Sequence, residues 1–389
     1  MKAGSKVLPE KAKPDIRKIT RLVPPSGNLV QGQSELAISP ALARAAGEII
    51  AASQNHYSPA EGVDELRRAV TQKIARFNRI EVDPQAAPLE LLITPGATGA
   101  LVAIARTYLA GGTALVFEPY YPYHQRIPAE LDGRTEVLQL RGENLELDGD
   151  ELRRRCRELK TGPHPLRAII LCTPVNPTGK VFVGEELETI AAVCREFDLI
   201  CIADEVYEHF VVPERTHVSI ATLDGMRERT ITVNSFSKSW NISGWRLGYV
   251  YGDGKLIAPL NNANNVFYVC SPTPLQRALA TVLMADPGYY DELQKRFIGK
   301  RKFAADVLES AGFQIYDSGS AFYLWARIPE RFGDAMQLNE LLIKNGVAGV
   351  PGNAFANSDR FDSYMRLCIA REDEVLRSAL GKLQDTLSR

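Results

Sequence analysis

Short apolar runs and helical patterns alternate along the middle of the chain. Strand-like runs lie at 89–94, 114–118, 135–140, 168–172, 199–203, 230–234 and 247–251. Several are continuous apolar or β-branched stretches, the pattern of strands buried on both faces. Between them, helical patterns cover 99–109, 149–159 and 184–195. Such alternation predicts an α/β fold with a mostly parallel seven-stranded sheet flanked by helices and joined by right-handed crossovers.

The flanks read differently. Helices are expected at 40–52 and 62–77, the second with Leu66, Val70, Ile74 and Phe77 on one face. The C-terminal part opens with a long amphipathic pattern at 288–311. Strand-like 313–316 and 321–327, a helix near 336–345, a strand near 365–370 and a last helix from 372 follow. This predicts a second, smaller α+β domain. The expected division is an N-terminal arm at 1–39 joining the small domain, a large domain at 40–287 and a small domain at 288–389.

Composition narrows the function classes. The 389 residues carry 46 Lys plus Arg and 47 Asp plus Glu, a net charge of −1. General binding to a phosphate backbone shows as a basic excess, which is missing, so nucleic acid is not an expected partner. No apolar run approaches the roughly 18 residues of a membrane span. The six cysteines form no CxxC and the five histidines no HExxH, so reduced thiols in a cytoplasmic enzyme are expected and a metal site is not. The polar N-terminus, through Lys18, is expected to be a flexible or partner-docking arm.

In open parallel sheets, ligands bind beyond the carboxyl ends of the strands. After the first strand comes Pro95-Gly96-Ala97-Thr98, a glycine turn opening a helix, which suits an anion. After the fourth comes Asn176-Pro177-Thr178-Gly179-Lys180, after the fifth Asp204 and Tyr207, and after the sixth Ser235-Phe236-Ser237-Lys238 with Arg246 beyond. Taken singly, each has an ordinary reading: a turn, a helix cap, a solvated lysine. Together, on successive strand ends, they suit a phosphorylated, ring-containing electrophile held by a lysine.

The segment from Ser235 to Gly248 resembles the cofactor-lysine signature of fold type I pyridoxal 5′-phosphate enzymes, in the class I/II aminotransferase family. The resemblance runs from Leu29-Val30-Gln31-Gly32 through Tyr57-Ser58-Pro59, Pro119-Tyr120-Tyr121, Asn176-Pro177-Thr178-Gly179 and Asp204-Glu205-Val206-Tyr207. It ends with Gly319-Ser320-Ala321-Phe322-Tyr323 and Arg366-Leu367-Cys368. It implies that Lys238 forms a Schiff base with the cofactor aldehyde and moves the substrate proton. Asp204 then pairs with the pyridine nitrogen, and Asn176 and Tyr207 reach the phenolate oxygen. Gly96, Ala97, Thr98, Ser235, Ser237 and Arg246 form the phosphate cup. Tyr121 stacks on the ring, and Tyr57 reaches the phosphate of a second subunit, implying a homodimer with shared sites. Arg366, with Gly32 and Asn176, binds the substrate carboxylate; Arg371 and Lys180 are decoys.

The resemblance implies transfer of an amino group between an L-amino acid and a 2-oxo acid. Beta-elimination, cyclisation, decarboxylation or oxidation in the same pocket is the alternative. A non-catalytic binding protein is a further class, opposed by the full residue set. The substrate is less legible. Gln33 and Ser34 stand at the expected entrance, and 261–274 is expected to line the partner's side of the pocket. No arginine occurs between 256 and 274, which argues against strict aspartate specificity.

Overall fold

The computed structural model describes residues 13–53, 55–316 and 318–388. Residues 1–12 of the expected arm lie outside the described residues. The main sheet contains β1 (Leu91–Thr94), β2 (Thr113–Glu118), β3 (Arg134–Gln139), β4 (Leu166–Cys172), β5 (Ile200–Asp204), β6 (Thr230–Ser235) and β7 (Gly248–Gly252). Their order is β1-β7-β6-β5-β4-β2-β3. Pairs β3–β2, β2–β4, β4–β5 and β5–β6 are parallel. β7 runs antiparallel to both β6 and β1. The mostly parallel seven-stranded sheet read from the sequence is therefore present, with one strand reversed.

Alternate residues of these strands feed opposite layers, as the period of two requires. Ile170, Ile202, Val233 and Val250 pack with Ala100, Ala103 and Ile104 of the helix Gly96–Ile104. On the other face, Leu91, Ile93, Tyr249 and Tyr251 pack with Leu66, Val70 and Ile74 of the helix Asp64–Asn78. Farther along that face, Leu115, Ile169, Leu171 and Cys201 meet Leu152, Cys156, Leu187 and Ile190 of the helices Gly149–Lys160 and Gly184–Glu196. Helices on both faces cover the inner strands of the sheet, and the polar residues Thr94, Asp204 and Ser235 gather, buried, at its strand ends.

A second, antiparallel sheet has the order β10-β11-β9-β8. It is built from β8 (Gln314–Ile315), β9 (Tyr323–Arg327), β10 (Val350–Pro351) and β11 (Tyr364–Cys368). The N-terminal segment crosses to it. Leu29 N–H donates to Ala348 O at 3.1 Å, and Cys368 N–H donates to Leu29 O at 2.8 Å. Several elements lie outside the pattern read from the sequence: the helices Pro122–Glu130, Gly254–Tyr268 and Thr273–Val282, and the two-residue β10. The segment 261–274 spans the end of one of these helices and the start of the next. All six cysteines are free thiols. Among the described residues no helix is long and apolar enough to cross a membrane.

Candidate active site

Register places the chemistry. Cys172 at the end of β4 lies opposite Asp204 at the end of β5, and Ser235 at the end of β6 lies opposite Gly248 at the start of β7. Thr94 at the end of β1 also lies opposite Gly248. The loops leaving β1, β4, β5 and β6 therefore open at one edge of the sheet.

The anion cradle begins where β1 turns into the helix Gly96–Ile104. Gly96 holds a left-handed φ of +71°, and a Cβ there would lie 2.6 Å from Arg246 Nη2. Glycine is thus what lets the guanidinium close on the helix start. Gly96, Ala97 and Thr98 occupy the first turn, whose N–H groups have no intrahelical acceptor. Arg246, itself left-handed at φ 55°, donates to Ser243 O at 2.8 Å and Pro95 O at 3.2 Å. Ser235 and Ser237, also expected at the cup, have hydroxyls 2.9 Å apart. Ser235 also caps the short helix Phe236–Ser239 that carries Lys238.

Lys238 Nζ donates to Gly32 O at 2.6 Å. Burial pushes its amine down to about 8; Arg366 and Arg246 add to this, while Cys368 and Asp204 oppose it. Such an amine is partly unprotonated, hence nucleophilic, near neutral pH. Asp204 is buried, with Oδ2 2.7 Å from His124 Nε2. The sequence reading missed His124. It stands in the first turn of the helix Pro122–Glu130, three residues past Tyr121, and its ring lies edge-on to Tyr121 with centroids 5.5 Å apart. Burial raises the Tyr121 and Tyr207 phenols above their ordinary range, which keeps both protonated.

Arg366 comes from β11 in the second sheet and is 1 % exposed. Its Nη1 donates to Asn176 Oδ1 at 2.8 Å and its Nη2 to Val30 O at 2.6 Å. Its buried Nε has no partner among the described residues. An unsatisfied buried guanidinium N–H is costly, and a planar carboxylate is a suitable acceptor. Asn176 therefore orients Arg366 through its carbonyl while its amide N–H groups remain as donors. The two decoys are held elsewhere. Arg371 is fully buried and donates to the carbonyls of Asn28, Gln31 and Gln33. Lys180 pairs with Glu186 at 2.8 Å.

Gly32 enters the site by its carbonyl, on Lys238. Tyr57 does not join the cluster: it is 84 % exposed. Tyr323, quoted only within a motif, is a second omission; its hydroxyl is 2.7 Å from that of Tyr207.

These groups fit pyridoxal phosphate at each of its ends. A glycine cradle with an arginine and two hydroxyls suits the phosphate, a lowered lysine suits the aldehyde, and a buried carboxylate suits the ring nitrogen. When bound, the cofactor supplies an electron sink for charge developing at the substrate Cα.

Comparison with known proteins agrees. The family described as aminotransferase class I and II matches residues 26–383. An aspartate aminotransferase of Pyrococcus abyssi is 34 % identical over 338 residues, covering 85 % of this chain and 84 % of that protein. Kynurenine–oxoglutarate transaminase 3 of Bos taurus is 32 % identical, covering 84 % of this chain and 77 % of that one. The solved N-succinyldiaminopimelate aminotransferase of Mycobacterium tuberculosis superposes with a TM-score of 0.88 at 31 % identity, covering 95 % and 96 % of the two chains. The chain belongs to the class I and II aminotransferases, pyridoxal-phosphate-dependent enzymes of fold type I.

Proposed function

We propose that this aminotransferase runs its reaction through Lys238, which holds the cofactor aldehyde as a Schiff base and, when released, carries the proton at the substrate Cα. The observation that supports this most is the Lys238 amine: it is buried, lowered to about 8, and hydrogen-bonded to Gly32 O beside Arg366. Asp204, steadied by His124, holds the ring nitrogen protonated. Asn176 and Tyr207 donate to the phenolate oxygen, and Tyr121 packs on the ring face. Gly96, Ala97, Thr98, Ser235, Ser237 and Arg246 bind the phosphate. Arg366 binds the α-carboxylate of the amino acid and then of the 2-oxo acid. One carboxylate-anchored pocket thus serves both half-reactions in turn, which gives ping-pong kinetics.

The working unit in this reading is a cytoplasmic homodimer. The Tyr57 loop packs beside the apolar turn near Val269, through Ser58 N–H to Thr273 Oγ1 at 3.0 Å and Asn264 Nδ2 to Ala60 O at 2.9 Å. Tyr57, Val266, Phe267 and Val269 are all exposed there, a patch suited to a second copy. Tyr57 then reaches the phosphate across that contact. The backbone bonds that tie Leu29 to Ala348 and Cys368 support the N-terminal segment as part of the small domain.

The test is a spectral screen of amino acids against the yellow holoenzyme, without an oxo-acid acceptor. Conversion of the visible band to that of the amine form, with one equivalent of 2-oxo acid, is expected. Continuous release of ammonia and pyruvate without acceptor would contradict the reading and favour elimination.

A further inference from the structure

We propose that Tyr323 is a positioning residue that joins the two halves of the site, its hydroxyl donating to Tyr207 and its ring holding Arg366. The inference rests on the reading of Tyr207 as the donor to the phenolate oxygen.

Tyr323 opens β9 and lies opposite Cys368 of β11. Arg366 is two residues from Cys368, so the two side chains are diagonal neighbours on one sheet face. The Arg366 guanidinium carbon lies 4.5 Å from the Tyr323 ring centroid, and Phe355 approaches the same guanidinium at 4.8 Å. Aromatic faces on a desolvated guanidinium fix its plane without using its N–H groups, so the donors stay available for Asn176, Val30 and a carboxylate.

The hydroxyl end points to a second role. It sits 2.7 Å from the Tyr207 hydroxyl, both groups being buried. It also crowds Gly32, where a Cβ would lie 2.3 Å from the Tyr323 oxygen, and the Gly32 carbonyl is the group that holds Lys238. Each phenol has one proton. If Tyr207 commits its proton to the ring oxygen, the shared bond takes its proton from Tyr323. An accepted bond strengthens the outgoing one, by about 10–30 % in condensed phase. Tyr323 therefore sharpens the donor that Tyr207 presents to the ring, although it need not touch the cofactor.

The direction follows from charge. A donor on the phenolate oxygen withdraws density from it, and the proton shared with the Lys238 nitrogen is held less tightly. Removing the donor raises the pH at which the visible band of the bound cofactor titrates.

The experiment compares Tyr207→Phe, Tyr323→Phe, Tyr323→Leu and the double Phe variant as holoenzymes. Tyr207→Phe should raise the spectroscopic pKa. Tyr323→Phe should raise it by about a tenth to a third as much, and should add nothing in the Tyr207→Phe background. Tyr323→Phe keeps the ring, so any rise in the KM for amino acids should be smaller than in Tyr323→Leu. Tyr323→Leu should raise that KM about two- to thirty-fold, the span of a cation–π contact. No shift in Tyr323→Phe while Tyr207→Phe shifts would overturn the proposal alone, as would an equal shift in the Tyr207→Phe background. An equal KM rise in Tyr323→Phe and Tyr323→Leu would overturn the role of the ring. No shift in Tyr207→Phe would overturn the reading of Tyr207, and this proposal with it.

Discussion

Replacing Arg366 with lysine keeps the positive charge and removes the planar fork. Two of the five guanidinium N–H groups already serve Asn176 Oδ1 and Val30 O, and the buried Nε, without a partner among the described residues, is left as a donor for the proposed carboxylate. A lysine has three donors on one atom and cannot span these acceptors and a bidentate carboxylate together. The variant therefore loses at least one charge-assisted hydrogen bond to substrate, worth about 1.5–3 kcal/mol. That corresponds to a loss of about ten- to hundred-fold in apparent affinity for the amino acid. The assay is the single-turnover half-reaction, followed by loss of the visible cofactor band as amino acid concentration rises. The decarboxylated amine of the same side chain is the control, since it has no group for Arg366 to grip. The penalty should appear with the amino acid and vanish with the amine. An unchanged affinity for the amino acid, or the same penalty for both compounds, would refute the assignment.

Other sites give separate expectations. The apoprotein should recapture pyridoxal phosphate at a rate that rises with pH around a midpoint near 8, because burial lowers the Lys238 amine to that value; a stopped-flow midpoint above 10 would contradict this. Gly96→Ala adds left-handed strain of about 1–2 kcal/mol and pushes on Arg246, so the cofactor should dissociate about ten-fold more readily or worse in equilibrium dialysis. The buried Glu208 accepts from Lys73 and from Asn78 and Asn234, a junction between the helix Asp64–Asn78, β6 and the Tyr207 segment. Glu208→Gln strands the Lys73 charge and should cost about 3–5 kcal/mol of stability in denaturant unfolding; a change below about 1 kcal/mol would argue against the junction.

The legible parts of the fold were those whose signal is local. β4 and β6 stand out because Ala168–Cys172 and Thr230–Asn234 are continuous runs buried on both faces. Two-residue strands such as β10 have no period to detect. The helix Pro122–Glu130 carries an internal Pro128, and the helix Gly254–Tyr268 carries Pro259 and two Asn pairs, which mask helical patterns. The same divide runs through the site. Asp204, Asn176 and Lys238 follow strands directly and are visible as strand-end residues. His124 required the strand order, since β2 reaches Asp204 only because β4 alone separates β2 from β5. The offset of three from Tyr121 was the available clue. Tyr323 meets Tyr207 across 116 residues and two sheets, and a single sequence holds no period that pairs them.

The central assignment is Lys238 as the cofactor-bearing amine. Borohydride reduction of the holoenzyme fixes the cofactor to whichever amine carries it, and peptide mass spectrometry locates the added pyridoxyl group. One modified site is expected, Lys238, with loss of the modification when the amino-acid half-reaction is completed first. Modification at Lys180, or at no single lysine, would contradict it.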